Sequence, residues 1–151
     1  MDIQYVQGKA SEESIRFHLK QCSADFIPPL DAKVNMQEYA AKLFENAVTF
    51  EAWDDNVLVG LIAAYFNDET HKTGYITSVS TTRAYRNKGI VSHLLKHCFN
   101  YARQFHFKRI DLNVSELSHR AVFVYKKAGF RVVEKSNDLL KMQYNLDLQE
   151  D

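Results

Sequence analysis

The sequence is poor in the residues that staple, punctuate or anchor a chain. It holds two cysteines, Cys22 and Cys98. Both fall on the apolar faces of predicted helices, where a free thiol packs as a small hydrophobe, so they read as structural thiols and not as a disulfide or a reactive pair. With two prolines and five glycines in 151 residues there is no Pro/Gly/Ser-rich linker, repeat or low-complexity tract, and residues 1–151 read as a single domain. Charge of either sign is not in excess, since 19 Lys+Arg balance 19 Asp+Glu. That balance removes the electrostatic drive behind nucleic-acid or membrane-surface binding. No apolar run approaches the roughly 20 residues of a membrane span. The start, Met1-Asp2-Ile3-Gln4-Tyr5, lacks the basic segment and apolar stretch of a secretory leader. The expectation is a cytoplasmic protein.

What remains is an ordinary globular composition, 46% hydrophobic and 25% charged. A chain of this length buries roughly 70% of the surface its unfolded form exposes, enough for a core without staples. Residues 3–7 read as a first strand. Ser11 offers an N-cap to a helix carrying Ile15, Leu19 and Cys22. Pro28 and Pro29 end that segment, and Asn35 with Glu38 has the form of a capping box opening a second helix through Tyr39, Ala40, Leu43 and Phe44. Strands follow at 48–53, 57–65 and 75–81, joined by short polar links, which predicts an antiparallel meander.

From Gly89 to Phe105 the residues Ile90, Val91, Leu94, Leu95, Cys98, Ala102 and Phe105 form one helical stripe. A strand at 109–114 comes next, so strand, helix and strand make a βαβ unit with a parallel pair. A helix from about Ser118 stops at Gly129, and strands at 130–133 and 139–144 finish the chain. The predicted class is α/β, a mixed sheet of six to seven strands flanked by four helices. His93 and His97 have metal-ligand spacing but no third ligand at a suggestive distance, so they read as a solvated face.

The informative segment is Tyr85-Arg86-Asn87-Lys88-Gly89-Ile90-Val91-Ser92, between a strand and an amphipathic helix. Backbone N–H groups opening a helix have no intrahelical partner, and with the helix dipole they suit a pyrophosphate. Gly89 permits close approach to a ligand, and Arg86 and Lys88 add charge. Alone, these residues read more readily as a solvated turn before a helix.

In its setting, Arg86-Asn87-Lys88-Gly89-Ile90-Val91 resembles the acetyl-CoA motif Arg/Gln-x-x-Gly-x-Gly/Ala of the GNAT superfamily of N-acetyltransferases, with Val91 where Gly or Ala is usual. A second block, Ala121 to Phe130, resembles the family's Asn-x-x-Ala-x-x-x-Tyr-x-x-x-Gly-Phe signature, with Ser118 at the Asn position. The resemblance spans about Phe50 to Val133. It implies the GNAT fold, acetyl-CoA as cosubstrate, and direct transfer of the acetyl group to a primary amine.

Position by position, the resemblance implies that Val79, Ser80 and Thr81 meet the pantetheine arm, largely through their backbone. Asn87, Lys88, Gly89, Ile90, Val91 and Ser92 would cradle the pyrophosphate beside Arg86, and Ser118 would meet the cofactor. Tyr125 would lie near the sulfur and protonate the leaving thiolate. The general base stays open. Asn113 stands where some relatives carry Glu, and Glu51, Asp111, Glu116 and His119 are candidates of equal standing. The loop Phe26–Leu30 reads equally as an acceptor-selecting segment, as the resemblance implies, and as a hydrophobic loop packed for stability, while Trp53 and Tyr65 are expected in the core with an acceptor pocket as the alternative. The expected acceptor is a small amine or amino sugar. Rival readings are N-acetylation of a protein and a CoA-binding module that has lost catalysis. Dimerisation through terminal strands, Leu139 to Leu146 among them, is compatible with the resemblance.

Overall fold

The computed structural model of the chain describes residues 2–147. Four strands form the meander: β1 (Ile3–Gln7), β2 (Val48–Asp54), β3 (Val57–Asp68) and β4 (Thr73–Thr81), each antiparallel to the next. Between β1 and β2 lie α1 (Glu12–Cys22), α2 (Leu30–Lys33) and α3 (Met36–Asn46). The crossover helix α4 (Ile90–Gln104) carries the chain to β5 (Arg109–Ser115), which pairs parallel to β4. Then come α5 (His119–Ala128), β6 (Arg131–Ser136) and β7 (Leu139–Asn145). β7 inserts between β5 and β6, giving one seven-stranded mixed sheet in the order β1-β2-β3-β4-β5-β7-β6.

Side-chain alternation along β3 divides the core between the two faces of the sheet. Ile62 and Ala64 face α4, packing with Leu94, Leu95, Cys98 and Ala102, while Leu61 and Ala63 face α1 and α3, with Ile15, Leu19, Ala40 and Leu43. The N-caps act as their residue types suggest. Ser11 accepts the Ser14 N–H at 3.0 Å, and Asn35 accepts the Glu38 N–H at 3.0 Å. Both cysteines are free and buried.

The structure has one helix more than the sequence pattern predicts. The single turn α2 follows Pro29, whose φ of −52° suits a helix entry, and it is too short to show a periodicity. β3 and β4 run past their apolar patterns because Asp68 pairs with Thr73 across the hairpin. β6 extends to Ser136 with every side chain exposed, since its backbone pairing with β7 defines it, not burial.

One irregularity opens the sheet. β4 and β5 pair only over Thr73–Ile76 and Arg109–Leu112. Beyond that point β4 continues along β3 to Thr81 while β5 continues along β7 to Ser115, so the sheet splits. Gly60 brings α4 close over this region. A Cβ there would sit 2.7 Å from the Ile90 Cγ2 atom.

Candidate active site

The split leaves the end of β4 with backbone groups that no strand takes. The Thr82 N–H donates to the Val59 carbonyl, so in antiparallel register the pairs 59/82, 61/80 and 63/78 exchange hydrogen bonds. Val79 and Thr81, of opposite parity, turn their N–H and C=O groups away from β3 and into the gap. Side chains along this stretch alternate too. Ser80 therefore points to the face covered by α1.

At the mouth of the gap, the loop after Thr81 takes a 3-10 turn, Arg83–Tyr85, and then two left-handed residues, Asn87 at φ 64° and Gly89 at φ 77°. Gly89 caps α4 with no side-chain hydrogen bond. None of the N–H groups from Asn87 to Ser92 finds a backbone acceptor among the described residues. Six successive donors without backbone acceptors at the positive end of a 15-residue helix make a cradle of the kind that suits an anion. α5 also opens without a side-chain cap at Ser118, and its first turn faces the same space.

These elements enclose a cleft of about 700 Å³. Of the residues singled out in the sequence, Val79, Ser80, Thr81, Arg86, Asn87, Gly89, Ile90, Val91, Ser92, Ser118 and Tyr125 line it, and Lys88 does not. Lys88 is exposed between the two left-handed residues, with its side chain outside the cleft. Phe26 and Ile27 of the loop after α1 line the cleft as well. Trp53 does not, because its indole N–H donates to Glu51 at 2.9 Å, and Tyr65 lies outside it too.

Tyr125 is 6% exposed, and burial pushes its phenol well above the ordinary range. Arg86 reaches back to the Thr81 carbonyl through Nε at 3.3 Å and donates through Nη2 to Asp25 at 2.6 Å. Arg83 takes the other Asp25 oxygen at 2.8 Å. Asp25, which also lines the cleft, thus ties the end of the α1 segment to the anion cradle.

The candidate bases separate clearly. Glu51 is fully buried and committed to the N–H groups of Lys9 and Ala10, the Thr49 hydroxyl and Trp53. Asp111 is held by Arg109 at 2.8 Å. It lines a smaller pocket of about 320 Å³ together with Asn113, whose amide donates to the Tyr75 hydroxyl at 3.0 Å. Glu116 pairs with Lys135 at 3.0 Å. Of the four, His119 alone lines the main cleft. His93 and His97 stack against Tyr5, and among the described residues no His/Cys/Asp/Glu cluster could hold a metal ion.

Two residues escaped the sequence reading, Asp25 and His18. His18 is fully buried, with Nδ1 3.1 Å from the Leu58 carbonyl and Nε2 2.9 Å from the Ser80 hydroxyl. Its signal was present: it sits on the same helical stripe as Ile15, Leu19 and Cys22, where a polar residue needs a buried partner. Nothing in the sequence marked Asp25, whose partners lie about 60 residues away.

Comparison with known proteins agrees with this architecture. The chain is 28% identical over 92 residues to the probable N-acetyltransferase san of Drosophila melanogaster, a stretch covering 60% of this chain and half the length of that relative. Its fold is similar to the PaiA N-acetyltransferase of Thermoplasma acidophilum, solved in complex with coenzyme A (TM-score 0.76, 16% identity, 96% of this chain and 99% of that one). It is also similar to the ribosomal-protein-S18-alanine N-acetyltransferase of Escherichia coli (TM-score 0.75, 12% identity, 95% and 94%). A profile of the acetyltransferase (GNAT) family matches residues 12–130, from α1 through the split strands to the end of α5, and the chain belongs to that family.

Proposed function

We propose that the chain, residues 1–151 acting as one domain, is an N-acetyltransferase that moves the acetyl group of acetyl-CoA directly to a primary amine of a small molecule or amino sugar. The observation that carries this reading is the run of N–H groups from Asn87 to Ser92 without backbone acceptors, set beside a strand end where no strand takes the Val79 N–H and C=O or the Thr81 N–H. The first suits the pyrophosphate and the second the amide-bearing pantetheine arm, held as an added strand would be. Arg86 flanks the phosphates, and Ser118 meets the cofactor from the start of α5.

The amine attacks the thioester carbonyl. A C–N bond forms, the C–S bond breaks, and the surplus proton on nitrogen passes to water. Backbone donors at the end of β4 face the developing oxyanion. Holding both reactants in one cleft supplies much of the acceleration. Tyr125 stays protonated at working pH because burial raises its phenol. Since an ordinary thiol titrates near 8.5, the phenol is the weaker acid of the two. Its contribution is a hydrogen bond to the leaving thiolate as charge develops, with water completing the proton transfer.

A second reading, acetylation of a protein or peptide amine, is favoured by the open rim of the cleft. Ile27, Leu117 and Phe123 line it and are 47%, 53% and 65% exposed. The test is calorimetric titration of acetyl-CoA into the parent and Gly89→Asp. Gly89 has open space beside it but a left-handed φ of 77° that strains any residue with a Cβ, so the carboxylate acts by its charge and by disturbing the cradle backbone together, and weakens binding roughly a hundredfold. CoA release is then measured with amino sugars, polyamines and short peptides, using Tyr125→Phe as control. A folded parent that does not bind acetyl-CoA would overturn the reading.

A further inference from the structure

His18 and Ser80 form a directional hydrogen-bond pair at the edge of the cleft. The Leu58 carbonyl can only accept, so the proton of the neutral His18 ring lies on Nδ1, 3.1 Å away. Nε2 is then a lone pair, and the Ser80 hydroxyl, at 2.9 Å, must donate to it. The Cys22 thiol stands 3.8 Å from the same nitrogen, the longer of the two contacts. Burial keeps the imidazole neutral by pulling its pKa down to about 4, and it keeps the thiol protonated by pushing it up to about 11. Ser80 therefore has no proton left to offer. Ser80 lines the cleft, and what its hydroxyl can offer a ligand there is an oxygen lone pair. It also lies between Val79 and Thr81, whose backbone groups face the gap proposed for the pantetheine arm.

Resting on the acetyltransferase reading above, we infer that Ser80 is the group that orients the acceptor amine, accepting one of its N–H groups, and that His18 is the positioning residue that holds the serine in this role. An amine that gives one N–H to Ser80 has its nitrogen lone pair free to meet the thioester carbonyl. As the N–C bond forms, nitrogen becomes positive and its N–H more acidic. The bond to Ser80 then strengthens in the transition state and accelerates the chemical step. The pair also selects against tertiary amines, which have no N–H to give in the neutral, attacking form.

The test uses the whole chain with acetyl-CoA saturating and hydroxylamine or methylamine as acceptor, small enough to enter any amine site, with CoA release as the readout. Ser80→Ala lowers kcat about tenfold while acetyl-CoA affinity, read by calorimetry, stays within about twofold. Ser80→Thr, which keeps the hydroxyl, recovers most of the rate. His18→Asn keeps a donor for Leu58, but its shorter side chain ends short of the Nε2 position that accepts from Ser80, and it lowers kcat similarly. Because His18 acts only through Ser80, the double variant is no slower than Ser80→Ala, whereas two independent structural losses would multiply. A Ser80→Ala enzyme as fast as the parent, or multiplying losses in the double variant, overturns this inference and leaves the acetyltransferase reading intact. A parent that binds acetyl-CoA yet gives no amine-dependent CoA release overturns both.

Discussion

His18 shows how a single buried side chain ties stability to pH. Its ring is neutral in the fold, with burial lowering its pKa from 6.5 to about 4. The unfolded chain binds a proton there at a higher pH than the native one does, so stability is fully present above 6.5 and falls as the pH drops toward 4. Integrated over that window the loss is about 3 kcal/mol, of which about 2 kcal/mol has gone by pH 5. Urea midpoints of the parent should therefore decline between pH 7.5 and 5.0, and His18→Asn should decline less by roughly that amount. Equal slopes for the two proteins would mean that His18 is not the group responsible. The thiols add nothing to this window, since burial raises both Cys22 and Cys98.

Between elements, Asp25 is the telling contact, because its carboxylate holds Arg83 and Arg86 where a phosphate would compete for them. Those two hydrogen bonds depress its pKa, Arg83 first, so it is an anion at neutral pH. Removing that internal anion with Asp25→Asn should tighten acetyl-CoA binding about three- to tenfold at low salt, with the gain shrinking as ionic strength rises. Calorimetry at two salt concentrations checks this, and weaker binding would show instead that Asp25 aligns Arg86 for its ligand.

Contacts of this kind also mark the limit of what the sequence discloses. Helix stripes, caps at Ser11 and Asn35 and the parallel crossover through α4 are local or periodic, and the residues state them directly. The motif around Gly89 is local too, and it led to the cleft. The Asp25–Arg86 tie, the Ser80–His18 bond and the exclusion of Lys88 depend on where distant elements come to rest. The commitment of Glu51 to Lys9 and Ala10 is equally invisible until β1 and β2 are paired.

At the scale of the whole molecule, the split sheet makes two halves that share little hydrogen bonding. Among the described residues the strand pairing between the meander β1–β4 and the unit β5–β7 covers just Thr73–Ile76 against Arg109–Leu112, with the Lys108 N–H to Lys72 carbonyl bond and the Asn113–Tyr75 contact at its ends. A ligand lying along the end of β4, with its phosphates at α4 and its thioester near Tyr125 on α5, touches both halves and braces them. Binding to the native state alone adds about 2.7 kcal/mol at a hundredfold excess over Kd. At about 2–4 °C per kcal/mol for a chain of this size, acetyl-CoA should raise Tm by roughly 5–10 °C. Hydrogen exchange tells where that stabilisation resides. Protection should grow together at the backbone amides of Val79 and Thr81, at Asn87 to Ser92, and in the first turn of α5. If it grows only at Asn87 to Ser92, the phosphates bind at the helix while the arm lies outside the gap, and the role assigned to the end of β4 is wrong.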